Sequence, residues 1–159
     1  MKQKTFSRWL KVILVGVALI GAFVYCYAVP ELGKEIAEAN PEFAYCFWPW
    51  LIFISLTAIP CYIALVHAWQ VVDSIGKDLA FTRENAKHLS WISWLAAGDA
   101  AFFFVGNFVL GFLSMSHPGV LLMSLFVSLI GAAIAIMAAA LSYLVGKAAE
   151  LQDQSDLTI

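Results

Sequence analysis

The chain has 159 residues, a mass of 17.5 kDa and a mean hydropathy of +0.85. It is 62% hydrophobic and 13% charged, against about 45–50% and about 25% in ordinary soluble domains. This balance excludes disorder, a nucleic-acid-binding surface and a water-soluble fold, and it predicts a single integral membrane domain over 1–159.

The apolar residues fall into four runs, 12–29, 47–72, 91–113 and 120–145. Each reaches the roughly 18–20 residues that cross a hydrocarbon core. None alternates apolar with polar residues as a membrane strand would, and in lipid the backbone must satisfy itself, so the runs read as helices. The predicted fold is an all-α four-helix transmembrane bundle. The first run exceeds the roughly 7–15 residues of a secretory signal core and reads as a retained span.

Lys2, Lys4, Arg8 and Lys11 precede the first span; Lys77, Arg83 and Lys87 lie between the second and third; Lys147 follows the fourth. Of the nine basic residues, only Lys34 falls on the other side. The positive-inside rule then places both termini in the cytoplasm of a multi-pass cell-membrane protein. Trp9, Trp69, Trp91 and Trp94 mark the inner level, and Trp48 and Trp50 the outer one. Tyr62 lies mid-span and requires an interhelical hydrogen-bond partner.

Between the first two spans, Leu32 and Ile36 share one helical face amid Glu31, Glu35, Glu38 and Glu42. This predicts a short amphipathic outer segment bounded by Pro30 and Pro41. Pro60 predicts a kink in the second span. In the inner loop, 73–90, Thr82 is the expected N-cap of a helix that starts at Arg83 and runs into the third span, with Phe81 as its apolar staple. Ser-His-Pro-Gly makes the last outer connection a tight turn. Gly131, Ala135 and Ala139 match Ser93, Ala97 and Ala101 at four-residue spacing. These stripes suit packing of the third span on the fourth, or a seam in a homo-oligomer.

Asp99 is the one acid inside a span, at a cost of at least about 2.5–3.5 kcal/mol on insertion scales. Its expected partners are His67 and Asn107. The cluster reads either as a structural fastening or as the site of a small ion- or proton-coupled transporter or channel. Cys26 and Cys46 both lie near the outer surface, where a disulfide is one reading and free thiols the other. The three histidines lack metal-ligand spacing, and no nucleophile, phosphate-loop or metalloprotease motif is present. The expectation is therefore no enzyme, no cofactor, no metal and no direct nucleic acid binding, with the lipid bilayer as the first partner.

Two stretches carry a family resemblance. One runs from Ile75 to Leu89 and includes Phe81, Asn85 and Leu89; the other is the tail that ends Asp156-Leu157-Thr158-Ile159. With four spans in this length, the chain resembles the bacterial domain-of-unknown-function family twenty-nine seventy-five. The tail departs from the family pattern at Gln154 and Ser155. The resemblance implies no established activity. It implies a neighbouring small helix-turn-helix regulator of the Cro type, and hence a membrane scaffold that binds a cytoplasmic DNA-binding protein. Phe81, Asn85, Leu89 and Asp156–Ile159 are the candidate docking residues.

Overall fold

A computed structural model describes residues 2–156, with side chains over 3–155. Helix α1 (Lys2–Phe23) passes through one widened π turn (Val24–Ala28) into α2 (Val29–Ala39). A 3-10 segment (Pro41–Cys46) leads to α3 (Phe47–Gly76), followed by α4 (Arg83–Phe112) and α5 (Pro118–Asp156). Four continuous helical stretches are long and apolar enough to span a membrane. All of them overrun the apolar runs, because a helix continues through polar turns that hydropathy does not register.

The amphipathic outer segment is helical, but Pro30 does not bound it. The Val29 N–H bonds to the Val24 carbonyl, which carries the ladder through the π turn. Pro30 then stands second in α2, where a missing N–H costs least. Asn40 ends the helix, and both its backbone N–H and its side-chain Nδ2 donate to the Ile36 carbonyl. Pro60 is accommodated inside α3, which runs without interruption.

The helices stand in a row. α1 packs on α3, α3 on α4, and α4 on α5; among the described residues, α1 approaches neither α4 nor α5 at the backbone. Tyr62 meets its expectation by donating to the Ala18 carbonyl of α1 at 2.7 Å. Ser7, on α1, donates to Val72 O at 2.8 Å. The Ser7 side chain lies where a Cβ on Gly76 would stand 2.8 Å from its Oγ.

The α4–α5 contact keeps Ser93, Gly131 and Ala135 of the four-residue stripes and leaves out the other three. Ser93 Oγ donates to Ala135 O at 2.8 Å and Ser142 Oγ to Ala86 O at 2.7 Å. A Cβ on Gly131 would meet the Ala100 Cβ at 2.9 Å. Ala97, Ala101 and Ala139 are exposed instead. Along α5 the inward positions are Ser124, Ser128, Gly131, Ala135, Ala138 and Ser142, and on α4 they are Ala86, Ser93, Ala100 and Asn107. These steps alternate between four and three or repeat every seven, the seam of a left-handed pair rather than a four-residue stripe.

Both tight helix ends are Schellman closures. After α3, Leu79 N–H bonds to Ser74 O and Asp78 N–H to Ile75 O, with Asp78 at φ 64°. After α4, Met115 N–H bonds to Leu110 O and Ser114 N–H to Gly111 O, with Ser114 at φ 59°.

Candidate functional site

The end of the row that carries the basic residues is the most highly constructed. Here the α3–α4 connection is only six residues, 77–82, and it is held from within. Asn85 is 1% exposed, and its Nδ2 donates to Leu79 O at 2.8 Å and Ala80 O at 3.0 Å. Thr82 caps α4 as expected, with its Oγ1 accepting from Asn85 N–H at 3.2 Å. One residue thus ties the loop twice through its side chain and once through its backbone.

Asp73 anchors the base of the loop, with Lys11 of α1 on one oxygen and Lys77 on the other at 2.6 Å. The carboxylate beside it raises the Lys77 ammonium above its ordinary value. Arg83 reaches Asp153 at 3.2 Å, joining the start of α4 to the end of α5.

With its backbone secured, the loop leaves two large apolar side chains outside, Leu79 at 54% and Phe81 at 58% exposure. Phe81 therefore does not close the expected staple. Asn85 faces inward, so it shapes the surface rather than forming part of it. Leu89 is half-buried on α4. Leu157, Thr158 and Ile159 lie outside the described residues, as does the Asp156 side chain.

The intramembrane acid has different neighbours from those expected. The Cys61 thiol donates to Asp99 Oδ2 at 3.5 Å, while the buried Oδ1 has no partner. Tyr25 and Thr57 share a hydroxyl–hydroxyl bond of 3.0 Å, and Tyr25 lies within electrostatic reach of both Cys61 and Asp99. His67 is six residues from Cys61, about 9 Å of helix rise, and belongs to another cluster. Asn107 bonds back to Phe103 O at 2.7 Å and is 1% exposed. The expected Asp99–His67–Asn107 set is therefore not brought together.

The true partner of His67 is His88. Their Nδ1 atoms stand 2.9 Å apart, across α3 and α4. Trp91 stacks on His67 at 6.1 Å and 4°, and Glu84 lies 4.0 Å from His88 Nε2. This pair was missed, because the connection 77–82 does not match the two helices by equal counts: His67 lies nine residues before Gly76, the last of α3, and His88 five after Arg83, the first of α4.

At the opposite end, α2 overhangs an apolar groove of about 520 Å³ between it, the start of α3 and the α4–α5 turn. Gly33 lets the Phe47 ring approach, since a Cβ there would stand 2.9 Å from Phe47 Cε2. Trp50 Nε1 donates to Met115 O at 2.7 Å and closes the groove's floor. Cys26 and Cys46 are both free thiols, Cys26 exposed and Cys46 buried, so no disulfide joins them in the structure. Among the described residues, no group of three metal-ligating side chains forms.

These features define a four-span integral membrane protein whose ordered polar chemistry is concentrated at its basic end. Residues 31–159 match the family described as a protein of unknown function, DUF2975, and the chain belongs to it. It is similar over 160 residues, at 27% identity and 99% of each chain, to the uncharacterized membrane protein YoaS of Bacillus subtilis (strain 168). No solved structure matches it.

Proposed function

We propose that the protein is a non-enzymatic membrane scaffold that holds a small cytoplasmic helix-turn-helix regulator against loop 77–82 and the end of α5. The supporting observation is a loop clamped by Asn85 that leaves Leu79 and Phe81 outside. A pre-ordered loop loses little conformational freedom on binding, and exposed apolar anchors supply most of the energy at such surfaces. The Arg83–Asp153 bridge sets the described end of α5 beside the start of α4, next to the loop. The basic residues around it favour a cytoplasmic placement of both termini in the cell membrane.

Co-purification of the full chain with the small helix-turn-helix protein that the family resemblance implies as its neighbour tests the reading. The double substitution Leu79→Ser, Phe81→Ser should cut capture by about tenfold or more, equivalent to about 1.4 kcal/mol. Removal of residues 150–159 should weaken capture as well. Undiminished capture in both cases would rule out this surface.

Asp99 supports a second reading, an ion- or proton-coupled carrier. Its carboxylate lies within a span, with one oxygen on a thiol and the other unpartnered. On this reading Asp99→Asn abolishes flux in liposomes with the fold retained, and unchanged flux would remove it.

A further inference from the structure

We infer that His67 and His88 form a proton-operated clasp that decides whether loop 77–82 keeps its docking shape, an inference that rests on the scaffold reading above. A 2.9 Å contact between two Nδ1 atoms needs one N–H and one lone pair. A neutral pair satisfies it with complementary tautomers, and a singly protonated pair satisfies it as well. A doubly protonated pair does not, because two N–H bonds and two positive charges then face each other.

The surroundings give the open state a defined form. Glu84 Oε1 waits 4.0 Å from His88 Nε2, and the Trp91 ring lies parallel over His67. A carboxylate and an indole face each favour an imidazolium. Each ring thus has its own cation partner once the two separate. Of the other charges at this end, several are already paired, and Lys87 is the covalent neighbour of His88. From α1, Lys11 is engaged with Asp73 and Trp69; on α3, Asp73 is held by Lys11 and Lys77; from α5, Lys147 pairs with Glu150 and Asp153 with Arg83.

The clasp is placed to act on the loop. His88 is three residues, less than one helical turn, from Asn85, whose side chain holds the Leu79 and Ala80 carbonyls. Separation of the rings moves the first turns of α4 away from α3 and draws Asn85 off those carbonyls. The sign follows from the protonation states. The loop is held while at most one ring is charged, and released in acid once both rings carry a proton.

The full-length protein in lipid nanodiscs, followed by amide hydrogen exchange over 77–89 at about pH 7.5 and about pH 5, tests this. After correction for intrinsic rates, wild-type protection should fall by about tenfold in acid. His67→Gln and His88→Gln should abolish that fall, because neither pair can become doubly charged. An unchanged wild type, or a fall that persists in both variants, overturns the clasp.

Histidine-labelled wild-type protein, which needs no substitution, should show at most one of the two rings as imidazolium at the higher pH and both at the lower. Two imidazolium rings at the higher pH would equally overturn it. Regulator capture at both pH values separates the two claims: loss of capture together with protection supports both. Loss of protection with capture unchanged leaves the clasp standing and removes loop 77–82 as the docking surface.

Discussion

Replacing Gly106 with alanine should destabilise the folded protein by about 2–3 kcal/mol, near the upper end for overpacking a core. The added Cβ would stand 2.1 Å from Cε2 and 2.5 Å from Cζ of Phe53. Relief by a swing of the ring is blocked. Phe53 is 8% exposed, stacked on Phe103 at 5.6 Å and 8°, and flanked by Phe102 and Trp50. The helices must therefore separate at the α3–α4 interface. Thermal unfolding in detergent measures the loss. Adding Phe53→Leu to Gly106→Ala should recover part of it, because the two positions share one space and their effects will not add. A Gly106→Ala protein as stable as wild type would contradict this packing.

Asn85→Asp should have the next largest effect, through the loop and not the spans. The substitution keeps the shape but replaces the Nδ2 donor with an oxygen, so a carboxylate would face the Leu79 and Ala80 carbonyls. Loss of a buried donor costs about 1–3 kcal/mol, and more where a charge is left behind. Hydrogen exchange over 77–82 should accelerate by about tenfold or more, while helix content from circular dichroism stays at the wild-type level. Asn85→Ala should show a milder form. Equal protection in all three proteins would mean that the loop is ordered by something other than this clamp.

The spans were legible because about twenty apolar residues with few charges have one solution in lipid. The Thr82 cap was legible because its chemistry is local. The start of α4 at Arg83 was legible with it, whereas the full length of α5, to Asp156, was not, since its polar turns carry no hydropathy. The partners of Asp99 were not legible because depth counted from the ends of the apolar runs does not fix the register between α3 and α4, which brings Cys61 to Asp99 and His67 to His88. Ala97, Ala101 and Ala139 were read on a four-residue stripe, but close helix contact follows the alternating step of the pair. Asn85 matched a family pattern, and only its burial distinguishes a residue that shapes a surface from one that touches a partner. Gly106 gave no local sign, because what it admits is a ring from another helix.

The row order of α1, α3, α4 and α5 bears on how the protein is made. Among the described residues each spanning helix approaches, at the backbone, only those next to it in chain order, so no early helix has to wait for a late one to cover it. The chain can be laid into the bilayer in the order of synthesis, hairpin by hairpin, with native contacts of short sequence separation forming at each step. The last element to arrive, α5, then completes the basic end by bringing Asp153 to Arg83. The basic end is thus finished only when the last span has been inserted, which makes its completion a mark of a fully assembled protein.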